Sequence, residues 1–257
     1  MVTKQPNQQI VIKTHEKAAL ILEDVSFFYS NGRLIWQNLH LSISPGERVG
    51  VIGPNGAGKT TLFLAICGIL APAAGTIKLF DKPMEAGEFR PEIGLVFQNP
   101  DDQLFCTSVR DDVAFGPENM GLSAQEIETR VQQALAITGV EHLVDRVPHQ
   151  LSGGEKCMAA IATVLAMQPQ LVLYDEPSAN LDLRARRRLI EFLQHSPETL
   201  AISSHDLELI LEVCDRVLLL DEGKIIADGK PQEVMADQKL MESHGLEKPH
   251  SLTHKHY

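Results

Sequence analysis

Residues 53–60 read Gly-Pro-Asn-Gly-Ala-Gly-Lys-Thr, an unbroken match to G-x-x-x-x-G-K-[ST] placed directly after a short apolar run, Arg48 to Ile52. A strand must deliver the chain into a tight glycine turn and a helix must leave it, because only then do successive backbone N–H groups converge on one anion. Gly53, Gly56 and Gly58 supply the turn, and Asn55 lies between them. Lys59 is placed to meet the β- and γ-phosphates of a nucleotide, the Thr60 hydroxyl to hold Mg²⁺, and Thr61 to extend the loop's hydroxyl edge.

The flanking patterns build an α/β chain around that loop. Leu20 to Tyr29 is β-prone and breaks at Ser30-Asn31-Gly32; Leu34 to Ile43 follows and ends at Pro45-Gly46. Together they predict an antiparallel β portion. Behind the loop, Leu62 to Leu70 has helical length. From about residue 118 to 166 the pattern is helical, with a capping box at Ser123-Ala-Gln-Glu126 ahead of Ile127, Val131 and Leu135. Leu171 to Tyr174 and Leu200 to Ser203 are short apolar strands with a helix between them. Alternating strands and helices imply a mainly parallel sheet.

Composition removes whole classes of function. A chain of 257 residues, 44% apolar and of net charge −11, is long enough for a sizeable core and too acidic for broad nucleic-acid binding. No apolar run approaches the roughly 18 residues a membrane span requires. The polar start, Met1 to Gln9, lacks the apolar centre of an export signal, so a cytosolic protein is expected. Cys67, Cys106, Cys157 and Cys214 show no paired spacing and read as reduced thiols. The run Arg184 to Arg188 reads as a solvated helix face, with Arg187 reaching Glu191 at i,i+4.

Two further elements carry chemistry. Leu171-Val-Leu-Tyr-Asp175-Glu176 is a buried strand ending in two carboxylates. Asp175 suits Mg²⁺, which prefers oxygen donors, and Glu176 stands where an attacking water would sit, as a candidate general base. Ser152-Gly153-Gly154, after Leu151, is a second glycine pair at a helix start and a second anion-binding device.

The order phosphate loop, Leu-Ser-Gly-Gly, apolar-Asp-Glu resembles the ATP-binding subunit of ABC transporters over roughly Leu20 to Glu233. That resemblance implies a P-loop NTPase core with a mainly parallel sheet, an antiparallel β subdomain and an inserted helical subdomain, here at about residues 100–166. It implies ATP and Mg²⁺ as ligands, with Tyr29 (or Phe28) stacking on adenine and Gln98 sensing Mg²⁺ and meeting the membrane partner. It assigns Ser178 to Asp182 to the loop that crosses to a second subunit, and His205 to the γ-phosphate and the attacking water. Each ATP would lie between the phosphate loop of one subunit and Ser152, Gly153 and Gly154 of another, so a head-to-tail dimer, homo- or heteromeric, is implied. Two positions depart from the family: Glu155 stands for the usual glutamine, an added carboxylate near the γ-phosphate, and Met158 for a common arginine, removing a surface ion pair.

The stretch Gly94-Leu-Val-Phe-Gln-Asn-Pro-Asp-Asp-Gln-Leu-Phe105, followed by Asp112 to Pro117, is similar to the ATPases of energy-coupling-factor importers of cobalt, nickel and vitamins. The resemblance implies a transmembrane scaffold docking near Gln98 to Phe105, a separate substrate-binding membrane subunit, and a place at the cytoplasmic face of the membrane. A soluble ABC ATPase, such as one for iron–sulfur assembly, is the alternative. Residues 1–18 read as a flexible arm, 19–237 as the ATPase domain, and 238–257 as a polar tail. The tail's His244, His250, His254 and His256 also raise the idea of a metal-collecting end.

Overall fold

The computed structural model describes residues 18–29 and 32–253. The arm expected at the N-terminus falls almost entirely outside the described residues. Strands β1 (Leu20–Phe28), β2 (Leu34–Ile43), β4 (Ala74–Leu79) and β5 (Lys82–Pro83) form an antiparallel sheet in the order β2-β1-β4-β5. The second sheet runs β10-β9-β3-β8-β7-β6, from β3 (Arg48–Ile52), β6 (Ile93–Val96), β7 (Leu171–Asp175), β8 (Thr199–Ser203), β9 (Arg216–Asp221) and β10 (Lys224–Gly229). Every pairing in it is parallel except β10 with β9. The expected α/β class, with its antiparallel portion, is therefore what the chain adopts.

The central strands β7 and β8 are buried at every position, as a sheet covered on both faces requires. The period-2 alternation of side chains then divides the interior into two cores. Val172, Tyr174, Leu200, Ile202, Val217 and Leu219 face helices α2 (Val109–Asn119), α3 (Ala124–Thr138), α4 (Gly153–Leu165), α5 (Leu183–His195) and α6 (Leu207–Val213). Leu171, Leu173, Ala201, Leu218 and Leu220 face helix α1 (Lys59–Ile66) and the antiparallel sheet, with Trp36 and Phe63 at its centre.

Local details refine the sequence reading. Helix α1 starts at Lys59 and ends at Ile66, earlier than the expected span, because Gly68 adopts φ +72° and stops it. Helix α2 starts at Val109, ahead of the helical pattern expected from about residue 118, and runs through Gly116 and Pro117. The reason is packing: Gly116 lets Met167 approach so closely that a β-carbon there would sit 2.6 Å from Met167 Cγ. The Ser123–Glu126 capping box forms as expected. Met158 is buried at 3% exposure within the helical core, so this position carries no surface ion pair to lose.

Within the described residues, 238–253 do not form a free tail. Helices α7 (Pro231–Val234) and α8 (Gln238–Ser243) pack on the body, with Met235 and Met241 fully buried. His244 Nδ1 lies 2.8 Å from an Asp221 carboxylate oxygen. In α9 (His250–Thr253), Ser251 donates its amide and hydroxyl to Glu208 at 3.0 and 2.6 Å. His254 and His256 lie outside the described residues, and no cluster of metal-ligating side chains occurs among the described ones.

Candidate nucleotide site

Four adjacent parallel strands, β3, β8, β7 and β6, end on the same edge of the sheet, where α/β folds bind ligands. Their ends deliver the phosphate loop, His205, Asp175-Glu176 and Gln98 respectively. The register sets the level: Val51 pairs with Ser203, and Ser203 with Asp175. Residues as far apart in sequence as Val51 and Ser203 thus meet because their strands are neighbours.

A cleft of about 260 Å³ opens at this edge, lined by Asn55, Gly56, Gly58, Lys59, Thr60, Thr61, Gln98, Glu176 and His205, with Tyr29 at its mouth. Gly58, at φ +95°, caps α1; a β-carbon there would lie 2.6 Å from Ile35 and Trp36, so only glycine fits. The Lys59 ammonium is buried and donates to the Gly53 carbonyl at 2.9 Å and the Pro54 carbonyl at 3.3 Å. Burial lowers its pKa, while the Glu176 and Asp175 carboxylates oppose that shift.

Glu176 holds φ +49°, a left-handed conformation rare outside glycine, locked by its amide donating to the Ser203 carbonyl at 3.0 Å. Its Oε2 accepts the His205 amide at 2.9 Å; its Oε1 lies 3.4 Å from His205 Nε2 and 3.9 Å from Lys59 Nζ. Oε1 is buried without a hydrogen-bond partner among the described residues, an acceptor aimed into a polar cleft. A base, a cation and an imidazole within these distances can bind an anion and take a proton from a water beside it. Asp175 is set deeper, 4% exposed, and accepts the Ser203 hydroxyl. Thr60, Gln98 and Asp175 all offer oxygen, the donor type a hard divalent cation takes.

Tyr29, rather than Phe28, reaches the cleft: its hydroxyl lies 2.9 Å from Thr61 Oγ1, and its ring meets Phe27 edge-on at 5.5 Å. Ser152, Gly153 and Gly154 do not line this cleft. Ser152 caps α4, and the Glu155 carboxylate turns back to accept the Ser152 amide at 2.8 Å and hydroxyl at 2.7 Å, which lowers the Glu155 pKa. That carboxylate is therefore spent on the cap. Arg33 and Ile35 also line the cleft and were not foreseen; the Asn31-Gly32 turn signal immediately before Arg33 was the available one.

Beside Gln98 a second hollow of about 530 Å³ is lined by Phe89, Phe97, Phe105 and Phe115, with Phe105 64% exposed. At its edge Asp112 accepts the Phe105 and Cys106 amides, both at 2.9 Å, through one oxygen. The other oxygen is buried with no hydrogen-bond partner among the described residues. The arginine run is engaged within the fold: Arg187 reaches Glu191 as expected, at 3.1 Å, and Arg188 donates to the Thr138 and Gly139 carbonyls.

Residues 36–179 match the family model described as ABC transporter. A Synechocystis sp. relative, named as an ABC transporter ATP-binding protein, is 57% identical over 241 residues, covering 94% of this chain and 85% of the relative. The energy-coupling factor transporter ATP-binding protein EcfA of Methanothermobacter thermautotrophicus is 44% identical, covering 89% and 76%. The solved structure of cbiO1 from Clostridium perfringens, part of the ABC transporter complex cbiONQ, is 38% identical with a TM-score of 0.79, covering 89% and 94%. With glycine loop, Asp-Glu strand end and histidine assembled on one sheet edge, the chain belongs to the ABC transporter family as an ATP-binding subunit, one whose ATP hydrolysis powers transport.

Proposed function

We propose that this subunit powers an energy-coupling-factor importer of cobalt, nickel or a vitamin, bound at the cytoplasmic face of a membrane through partner subunits. Among the described residues no helix is long and apolar enough to cross a membrane, so attachment in this reading comes from partners. The observation that carries the reading is the exposed aromatic hollow of Phe97, Phe105 and Phe115 beside Gln98, with a buried Asp112 oxygen lacking a donor. Such a surface suits a helix offering apolar side chains and a cation to a groove. The relatives EcfA and cbiO1 support the importer type.

In this reading Lys59 and the loop amides bind the ATP phosphates, Tyr29 meets the base, Glu176 takes the proton of the attacking water, and His205 positions it. Thr60, Gln98 and Asp175 would hold Mg²⁺, whose charge offsets that of the phosphates. Because Ser152 to Gly154 lie off the cleft, a second ATPase subunit, identical or related, would bring its own glycine pair to close the site. Cargo choice rests with a separate substrate-binding membrane subunit.

The test is affinity purification from detergent-solubilised membranes of the source cell. An integral membrane protein in stoichiometric amount is expected with the parental chain and lost with Phe105→Asp. A purely soluble complex would overturn the importer reading and favour a soluble assembly ATPase.

A further inference from the structure

The histidine loop is held from a second direction. Asp206, next to His205, caps α6 by accepting the Leu209 amide at 3.1 Å, and its own amide donates to Ser204 Oγ at 3.0 Å. Its two carboxylate oxygens also take a two-pronged grip from Arg186: Nη2 to Oδ1 at 2.8 Å, and Nε to Oδ2. The pair is about three-quarters buried, with side chains 25% and 23% exposed. Arg186 belongs to the first turn of α5, which Asp182 caps at the end of the Ser178–Asp182 loop.

Through Arg186, one carboxylate therefore ties the first turn of α5, which follows directly on the Ser178–Asp182 loop, to the loop that presents His205. A guanidinium fork bound to a carboxylate constrains orientation as well as distance, which a lysine at the same place would not do. The His205 ring depends on such constraint, since among the described residues its half-exposed imidazole has only Lys59 at 3.2 Å and Glu176 at 3.4 Å to orient it.

We propose that Arg186 is a positioning residue for ATP hydrolysis, acting through Asp206 to hold His205 over Glu176 and to link that histidine to the Ser178–Asp182 loop. The inference rests on the reading of His205 as the residue that orders the attacking water.

The experiment uses the full chain and compares Arg186→Gln, Asp206→Asn, the double variant and Arg186→Lys, with Tm measured for each. For the first three, kcat is expected to fall about tenfold or more, while KM and the Kd of a fluorescent ATP analogue stay within about twofold. The double variant is expected to lose no more than either single one, the mark of a shared path. The His205 imidazole NMR signal, assigned by its loss in His205→Ala, is expected to move in each. Arg186→Lys is expected to recover part of the rate; it also decides the matter if Arg186→Gln does not fold. An unchanged kcat, an additive double variant, or an unmoved His205 signal would overturn the proposal. If His205→Ala keeps parental turnover, the His205 reading fails and this inference with it. If His205→Ala is inactive while Arg186→Gln is not, only this inference fails.

Discussion

Lys59 illustrates how one residue can be expensive and still necessary. Its ammonium is buried, which penalises the charge, and the Gly53 and Pro54 carbonyls and the Glu176 carboxylate offset that penalty. A phosphate is a stronger partner than any of these, so Lys59→Ala is expected to lower ATP affinity by at least about tenfold, the scale of one charge-assisted contact. Calorimetry checks this, and unchanged binding would remove Lys59 from the site. Tyr174 is the opposite case: its hydroxyl is fully buried with no hydrogen-bond partner among the described residues. Tyr174→Phe is expected to stabilise the chain by about 1 kcal/mol, a rise of roughly 2–4 °C in Tm by calorimetric scan. Lys59 and Glu176, read from their motifs, and His205, implied by the family resemblance, line one cleft because each follows a strand of the parallel sheet. It could not place Met158, whose burial depends on what the rest of the chain packs against it.

Among the elements, those with local signals were the legible ones. The Ser123–Glu126 box forms because both partners lie within one turn, the Ser123 amide reaching Glu126 at 3.1 Å. Ser123→Ala is expected to cost about 1 kcal/mol, read as a lower denaturant midpoint with unchanged slope. Helix α2 was less legible, since Gly116-Pro117 normally ends a helix and here continues one against α4 and Met167. The C-terminal stretch, expected as a polar tail, carries short helices for a related reason. Its polar composition hides Met241 and Leu246, which are buried as members of the core beneath the helices. Short helices of this kind take their stability from docking rather than propensity.

At the scale of the whole molecule, the cleft has one wall. Glycine loop, Glu176 and His205 stand together, while Ser152 to Gly154 lie off the cleft at the start of α4. Glu176→Gln should therefore keep ATP binding, lose turnover by about 100-fold or more, and accumulate an ATP-dependent dimer on size-exclusion chromatography. Hydrolysis near the parental rate would sink the assignment of Glu176 as base, and a monomer at saturating ATP would sink the shared site. What the sequence alone determined was the chemistry: a glycine loop, an apolar strand ending in Asp-Glu and a capped helix are short-range patterns whose physics is complete within a dozen residues. What only the tertiary structure decided was which distant residues meet and which are covered. Arg186 on Asp206, the orphan oxygen of Asp112 beside four phenylalanines, and the buried C-terminal methionine all depend on strand order and helix packing. Burial and contact are properties of the whole chain at once, and no window of sequence contains them.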